Sequence, residues 1–299
     1  MKKALCPIAA FLTGIVISVM VVANTRLGEL TTNEVSMIVN QTIGVILTTL
    51  ILLAGRKVES VNPPRRPSRW YMYFGGLFGV LIMIANFYSV LKVGAALAMA
   101  AAVFGQSLMG LLLDIFGLFG MKRRRVDRVK GISIAVSFLG IVIMSLSKDG
   151  TLSLPYIAMG IGAGVLTMLQ MTYNSSFAAA KGAIFSARQN ALSGVLGTAL
   201  YAFILMPQAT LEGFRKLPGI SLVTICLGGV LAIVVVTSSN LVIPRIPAIY
   251  SSLLMSAGQV LSSLILDDFA WSLLIGALVI LVGMALNFIS DRKASPQAA

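Results

Sequence analysis

Ten long apolar segments, separated by short polar breaks, constrain the fold of this chain more than any other feature of its sequence. They cover roughly residues 6–24, 35–54, 71–91, 95–116, 130–147, 154–174, 188–206, 219–240, 247–265 and 271–289. A helix needs about 20 predominantly apolar residues to cross the hydrocarbon core of a bilayer. Ten such helices would take up about two thirds of the 299 residues, of which only 11% are charged. The sequence therefore predicts an all-α membrane protein with ten transmembrane helices and excludes a water-soluble globular domain, in which about a quarter of the residues are charged.

The distribution of lysine and arginine predicts how the chain is oriented. We interpret the first apolar segment as an uncleaved transmembrane helix, because it is longer than the apolar core of a signal peptide. Passing the ten segments across the membrane puts 18 of the 23 basic residues on the side of the N-terminus. Cytoplasmic loops carry the excess of basic residues, so both termini are predicted to be cytoplasmic. The basic cluster at 121–130 is most simply an anchor for this orientation. Binding of anionic lipid headgroups is a weaker alternative, and nucleic acid is not an expected partner.

The second half of the sequence repeats features of the first half. Four residues recur 150 positions later, with Gly14, Asn24, Asn40 and Gly44 matching Gly164, Asn174, Asn190 and Gly194. Further on, at an offset of 153, GQSLMGLLLDIF (105–116) aligns with GQVLSSLILDDF (258–269). Each half holds five apolar segments, an odd number, so the second copy must enter the membrane upside down. We therefore predict two inverted-topology repeats of five helices, 1–148 and 149–299.

Polar side chains inside the apolar segments are the candidate site residues, because a bilayer penalises them unless they face protein or a water-filled cavity. The predicted substrate pathway is lined by Gln106, Gln259, Asn40, Asn190, Asn86, Gln170 and Ser256. Gln106 and Gln259 occupy equivalent positions in the two halves, and we expect them to flank a central binding site. For each of these residues taken alone, hydrogen bonding between neighbouring helices is an equally good interpretation.

Two aspartates lie two turns beyond the paired glutamines, toward opposite mouths of the predicted pathway. Asp114 and Asp267 are predicted to take part in proton coupling or gating; the alternative is that they cap helix ends or pair with nearby cations. Asn24 and Asn174 are expected to end their helices, where capping competes with substrate contact.

The sequence contains no recognisable set of catalytic residues. It has no histidine, which removes the commonest transition-metal ligand and the usual near-neutral proton carrier. Cys6 and Cys226 lack the spacing of a disulfide or metal site, and no GxSxG or phosphate-binding loop is present. We therefore expect neither an enzyme nor a cofactor or metal, and any uphill transport would need an ion gradient or substrate exchange.

Residues 75–144 resemble the YdcZ-type branch of the drug/metabolite transporter superfamily, most specifically at Gly105-Gln106 and at Leu113-Asp114-x-Phe116-Gly117. The segment ANTRLG (23–28) resembles the opening motif of that branch, and the second half of the chain matches more loosely. Members of the branch are often single five-helix units, so this chain is similar to a fused pair. The resemblance implies a bacterial inner-membrane carrier in which helices one to four and six to nine surround the cavity, while helices five and ten lie outside it.

These observations favour a multi-pass inner-membrane secondary transporter of a small polar metabolite. We expect alternating access around a midplane site at the interface of the two repeats. A non-transporting membrane scaffold or regulatory subunit is one alternative, and a lipid-linked flippase is another. The expected partners are a small-molecule substrate and membrane lipids, with a homodimer as an open alternative to the monomer.

Overall fold

The computed structural model of the protein describes residues 5–56, 63, 67–116, 128–145, 153–242, 248–267 and 270–294. Within these ranges the regular structure is entirely helical. The α-helices are α1 (Cys6–Leu30), α2 (Asn33–Ala54), α3 (Gly76–Val93), α4 (Ala95–Phe116), α5 (Arg128–Ser145), α6 (Leu154–Lys181), α7 (Ala183–Leu200), α8 (Pro207–Lys216), α9 (Leu222–Val242), α10 (Ala248–Leu266) and α11 (Trp271–Ala294). A 3-10 turn at Trp70–Phe74 precedes α3, a π-helical turn at Tyr201–Leu205 follows α7, and a second 3-10 turn at Leu217–Gly219 follows α8.

Long apolar helices make up most of the described chain. Within the described residues, seven helices are long and apolar enough to cross a membrane. They are Cys6–Leu30, Asn33–Ala54, Trp70–Val93, Ala95–Leu113, Arg128–Ser145, Leu154–Lys181 and Leu222–Val242. The bent pair Ala183–Leu205 and Pro207–Gly219 makes an eighth if it is counted as one span, and α10 and α11 contribute the shorter apolar stretches Leu253–Leu266 and Trp271–Leu286. The predicted all-α, multi-pass membrane architecture is confirmed, whereas the number of ten spans stays a prediction.

Two pairs of consecutive helices are joined by a single glycine. Gly94, between α3 and α4, has a φ of 83°, and Gly182, between α6 and α7, has a φ of 92°. Each donates its backbone N–H to a carbonyl in the last turn of the preceding helix, and glycine adopts a positive φ without the steric cost that other residues meet. One helix therefore ends and the next begins within a single residue at each of these points.

α8 is a short amphipathic helix that the sequence analysis did not predict. It begins at Pro207, after a bend of 109° from the helix before it. Thr210 and Gly213 are buried, with Gly213 against the start of α2, whereas Leu211 and Phe214 are exposed. A helix with an apolar side and a charged end is typical of the membrane–water interface. Its ten residues are too few to cross a bilayer, which is why the pattern of long apolar segments does not reveal it.

The two halves of the chain pack together through matching helix pairs. α1 packs on α10 as α4 packs on α6, and α1 packs on α9 as α3 packs on α6. α2 packs on α7, α4 on α10 and α5 on α11. These contacts follow a rule if α1 to α5 are matched in order with α6, α7, α9, α10 and α11. Replacing each helix by its match turns the α1–α10 contact into the α4–α6 contact and the α1–α9 contact into the α3–α6 contact. The same replacement leaves the other three contacts unchanged. Two units related by a pseudo-two-fold axis are expected to exchange contacts in this way.

Glycines at two equivalent positions allow the closest of these helix contacts. A Cβ atom on Gly14 would lie 1.9 Å from the backbone oxygen of Met255 in α10. A Cβ atom on Gly164 would likewise lie 1.9 Å from the backbone oxygen of Ala102 in α4. Small residues let transmembrane helices approach this closely. The glycines are 150 residues apart and their partners 153 apart, the same two offsets that relate the halves in sequence.

Candidate binding cavity

Two asparagine pairs connect helices in the centre of the bundle. Asn40 Nδ2 donates to Asn24 Oδ1 at 2.8 Å, which joins α2 to α1. Asn174 Nδ2 donates to Asn190 Oδ1 at 2.9 Å, which joins α6 to α7. Asn24 and Asn174 lie about two turns before the ends of α1 and α6. The expectation that they end their helices is therefore wrong, because both helices continue past the predicted apolar segments.

A serine supports each asparagine pair in the same way. Ser36 Oγ donates to the backbone oxygen of Asn24 at 2.7 Å. Its counterpart Ser186 Oγ donates to the backbone oxygen of Asn174 at 3.0 Å. Because buried polar groups are costly unless they are hydrogen-bonded, these contacts fix the helices of each pair relative to one another.

Gln170 makes two hydrogen bonds that the residue at the equivalent position of the first half cannot make. Its Nε2 donates to the backbone oxygen of Gly75 at 3.0 Å and to Asn190 Oδ1 at 3.1 Å. The position 150 residues earlier is Met20, whose side chain cannot donate a hydrogen bond. The second asparagine pair is therefore more strongly constrained than the first.

A cavity of about 120 Å³ lies between these amides and is lined by residues of α1, α2, α3, α6, α7 and α9. Its polar lining consists of Asn24, Asn40, Gln41, Asn86, Thr167, Gln170, Asn174, Asn190, Ser239 and Asn240. Its apolar lining includes Ile17, Met20, Val21, Ile82, Met83, Met171, Val235 and Val236. Among the described residues that line it, none is charged. A space of this size holds several water molecules or a small solute.

Two smaller cavities adjoin the central one and share part of its lining. Their volumes are about 50 Å³ and about 30 Å³. Residues of α2 show the order in which the three cavities follow one another. Asn33 lines the cavity of about 50 Å³, which we call the first, Asn40 lines the central cavity, and Thr48 lines the cavity of about 30 Å³, which we call the third. At a rise of 1.5 Å per residue, the distance along α2 from Asn33 to Thr48 is about 22 Å. The three cavities therefore extend along most of the thickness of a bilayer core, which is about 30 Å.

The structure brings four of the seven predicted pathway residues to this cavity, namely Asn40, Asn86, Gln170 and Asn190. Gln106 and Gln259 lie instead in the contact between α4 and α10, where they are 5% and 1% exposed. Each amide donates to the other, with nitrogen–oxygen distances of 3.3 Å and 3.5 Å. Ser256 is buried in α10 and is not among the described residues that line the cavity.

Asp267 lies where it can cap the N-terminus of α4. Its Oδ2 accepts the backbone N–H of Ala96, the second residue of that helix, at 3.0 Å. A carboxylate in this position satisfies one of the free N–H groups at a helix start and interacts favourably with the helix dipole. The side chain of its counterpart Asp114 lies outside the described residues, as does most of the basic cluster at 121–130.

Two polar atoms at the cavity find no hydrogen-bond partner among the described residues. They are Asn86 Oδ1 in α3 and Ser239 Oγ in α9. Ser239 was not among the predicted site residues, although the offset of 153 pairs it with Asn86. Gln41 and Asn240 were also missed, and neither has an amide at its repeat-related position. Within the described residues, no group of three or more Cys, Asp and Glu side chains could hold a metal ion.

Comparison with known proteins identifies the family. The family described as "Putative inner membrane exporter, YdcZ" matches residues 5–143 and 155–286. The "Inner membrane protein YdcZ" of Escherichia coli (strain K12) is 30% identical over 109 residues, which cover 35% of this chain and 73% of that protein. A solved structure titled "Crystal structure of protein" has a similar fold, with a TM-score of 0.63, 17% identity and 98% of each chain covered. The chain belongs to the YdcZ family, which confirms the resemblance seen in the sequence.

Proposed function

We propose that this member of the YdcZ family is an inner-membrane secondary transporter that moves a small polar metabolite through the central cavity by alternating access. The observation that carries this proposal is an amide-rich cavity lined by helices from both halves of the chain, with no charged side chain among its described lining residues. A bilayer tolerates such polar groups where they face protein or water. Secondary transporters bind their substrates near the bilayer midplane, at the interface between repeats.

The proposed architecture is ten spans in two inverted repeats, 1–148 and 149–299. The exchange of helix contacts between the halves supports it, as do the matched asparagine pairs and the matched glycine contacts. α5 and α11 pack chiefly on each other, and neither lines the cavity with a described residue. They would then serve as supports outside the transport path.

The proposed orientation has both termini in the cytoplasm, because most basic residues fall on that side. The junction of α1 with α2 would then lie at the outer face. α8 lies beside that junction, since Gly213 packs against Thr32 and Val35. This interfacial helix would accordingly lie in the outer leaflet, with membrane lipids as its partner.

In the proposed mechanism, the adjoining cavities open to the two faces of the membrane in turn. Asn40, Asn86, Gln170 and Asn190 would contact the substrate in the central cavity. The mutual hydrogen bonds of Gln106 and Gln259 would hold α4 to α10 while the surrounding helices rock. A role for Asp114 and Asp267 in ion coupling stays a prediction, to be tested against the capping contact of Asp267.

Cysteine labelling from each face of the membrane tests this proposal without knowledge of the substrate. In a background with Cys6→Ala and Cys226→Ala, single cysteines replace Met83, at the first junction between cavities, or Ala232, at the second. A membrane-impermeant thiol reagent is applied to right-side-out and to inside-out vesicles. Alternating access predicts that both positions react from both faces.

Two control positions show how little labelling to expect at a site that the reagent cannot reach. Val230→Cys lies on the exposed outer surface of α9, where lipid should block the reagent, and Ser263→Cys lies in a fully buried position in α10. Neither should react. Labelling of Met83→Cys and Ala232→Cys from one face only would contradict alternating access, and labelling no faster than in the controls would remove the cavity from the transport path.

A further inference from the structure

The polar groups of the cavity divide into those already paired and those left unpaired. The amides of Asn24 and Asn40 bond to each other, as do those of Asn174 and Asn190. These bonds hold the helices together and satisfy part of the hydrogen-bonding capacity of each amide. Asn86 Oδ1 and Ser239 Oγ, in contrast, are buried and have no partner among the described residues. A buried polar atom without a partner costs free energy, so these two atoms are the ones with most to gain from a bound solute.

Ser239 differs from Thr167 and Thr48, two other hydroxyl residues that line the path. It is 3% exposed, in the middle of a helix. Thr167, at the central cavity, donates to the backbone oxygen of Ala163 in its own helix, and Thr48, at the third cavity, donates to that of Gly44. A serine in a helix commonly satisfies its hydroxyl in this way. The Ser239 hydroxyl does not, although the backbone of α9 offers the same acceptors.

Asn86 and Ser239 occupy equivalent positions in the two halves, 153 residues apart. They lie on the matched helices α3 and α9, and both line the same cavity. The unpaired groups therefore come from both halves, and a solute between them would contact each half through one polar atom.

The other side chains that line the cavity determine which charge and shape of solute it can bind. The described lining contains no charged side chain, so a charged solute would lose its hydration without gaining a counter-ion, which is costly in a protein interior. Met20, Met83 and Met171 lie along the apolar side, and methionine adapts its shape to varied apolar groups.

We propose that the cavity binds an uncharged solute whose hydrogen-bonding group lies between Asn86 and Ser239 and whose apolar part packs against the three methionines. This inference rests on the proposed transport function and names the substrate class for that same cavity. A solute that lacks the hydrogen-bonding group would leave both atoms unpaired and would bind more weakly.

Sets of probes that differ only in charge test the inference. Isobutyramide, isobutyrate and isobutyramidinium have nearly the same shape but are neutral, anionic and cationic, and benzamide, benzoate and benzamidinium form a second set. The concentration dependence of the melting temperature of the purified protein gives their affinities. We expect at least one neutral amide to raise the melting temperature, and its charged analogues to need at least tenfold higher concentrations.

Three variants connect this binding to the named atoms. Ser239→Ala and Asn86→Leu should each weaken binding of the amide about three- to tenfold, which corresponds to one neutral hydrogen bond. Ser263→Ala is the matched control, because that buried hydroxyl donates to Val260 in its own helix, away from the cavity. It should leave the affinity unchanged.

The outcomes distinguish the substrate class from the proposed function. Three results would overturn the proposed substrate class. One is a charged probe that binds as tightly as its amide, and another is an amide affinity that is unchanged in both Ser239→Ala and Asn86→Leu. The third is the failure of both amides to bind. Two-sided labelling of Met83→Cys and Ala232→Cys would still stand in each of these cases. Loss of that labelling would instead overturn the transport cavity and this inference with it.

Discussion

Replacing Gly164 by alanine should separate α4 from α6 and destabilise the protein. The added Cβ atom would lie 1.9 Å from the backbone oxygen of Ala102, whereas Cβ contacts under 3.0 Å essentially do not occur. The two backbones must therefore move apart by at least about 1.1 Å at this point. The obstacle is backbone rather than a flexible side chain, so it cannot turn away. Overpacking of this kind typically costs about 1–3 kcal/mol.

Gly162→Ala, in the same helix, is the matched control, because a Cβ atom there would meet nothing within 4 Å. Both variants gain the same intrinsic helix propensity, about 1 kcal/mol. The difference between them therefore isolates the steric cost. At about 2–4 °C per kcal/mol for a chain of this size, a cost of about 2 kcal/mol makes Gly164→Ala melt about 4–8 °C below Gly162→Ala.

Thermal unfolding in detergent, followed by circular dichroism at 222 nm, measures this difference. Gly14→Ala should produce a similar loss, because its Cβ atom would approach Met255 just as closely. A melting temperature for Gly164→Ala at or above that of Gly162→Ala would refute the close contact. A loss in Gly164→Ala without one in Gly14→Ala would refute the equivalence of the two halves at this interface.

Three further predictions address the polar contacts. Gln106→Leu should lower the melting temperature by about 2–12 °C, because it leaves the buried Gln259 amide unpaired at a cost of about 1–3 kcal/mol. The double variant with Gln259→Leu should recover most of this loss, and a double variant less stable than either single variant would contradict the pairing. Asp267→Ala should lower the free energy of unfolding by about 1 kcal/mol because the cap of α4 is lost, whereas Asp267→Asn should keep most of this stability. If substrate flux loses its pH dependence in Asp267→Asn, the residue has a coupling role. Asn174→Leu should abolish substrate flux while the protein still inserts in the membrane, because Asn190 loses one of its two bonds to α6 and the cavity loses an amide from its lining. Unchanged flux in vesicles would exclude this asparagine pair from the transport path.

The sequence was informative about the fold because the bilayer imposes a simple rule on it. A segment that crosses the membrane must be long and apolar, so hydropathy alone located the long helices. The helix ends were less predictable. α1 and α6 continue six and seven residues past the predicted segments, because polar residues such as Arg26 and Ser176 are tolerated where a helix leaves the hydrocarbon core. α8 escaped prediction because amphipathicity over ten residues is a weak signal beside spans of twenty.

The candidate site was predicted less completely, for a different reason. A polar residue within a span must face protein or water, but the sequence does not say which. Gln106 and Gln259 donate hydrogen bonds to each other across α4 and α10. Asn86 lines the cavity, and its side-chain oxygen has no partner among the residues that the structure describes. The sequence did not indicate Ser239 as a site residue, because serines in helices commonly donate to a carbonyl of their own backbone. Only the three-dimensional arrangement separates paired from unpaired groups.

The halves match closely at the helix contacts but differ at the cavity, and this difference bears on the conformational equilibrium of the proposed transporter. In inverted repeats, the inward- and outward-facing states arise when the two halves exchange conformations. Identical halves would give these states equal free energies. Gln170 makes two hydrogen bonds that Met20, at the equivalent position, cannot make. Since each buried hydrogen bond contributes about 0.5–1.5 kcal/mol, two of them present in one state alone would shift the ratio of the states by roughly one to two orders of magnitude. One amide that departs from the repeat would therefore be sufficient to make an otherwise symmetric carrier favour one face of the membrane.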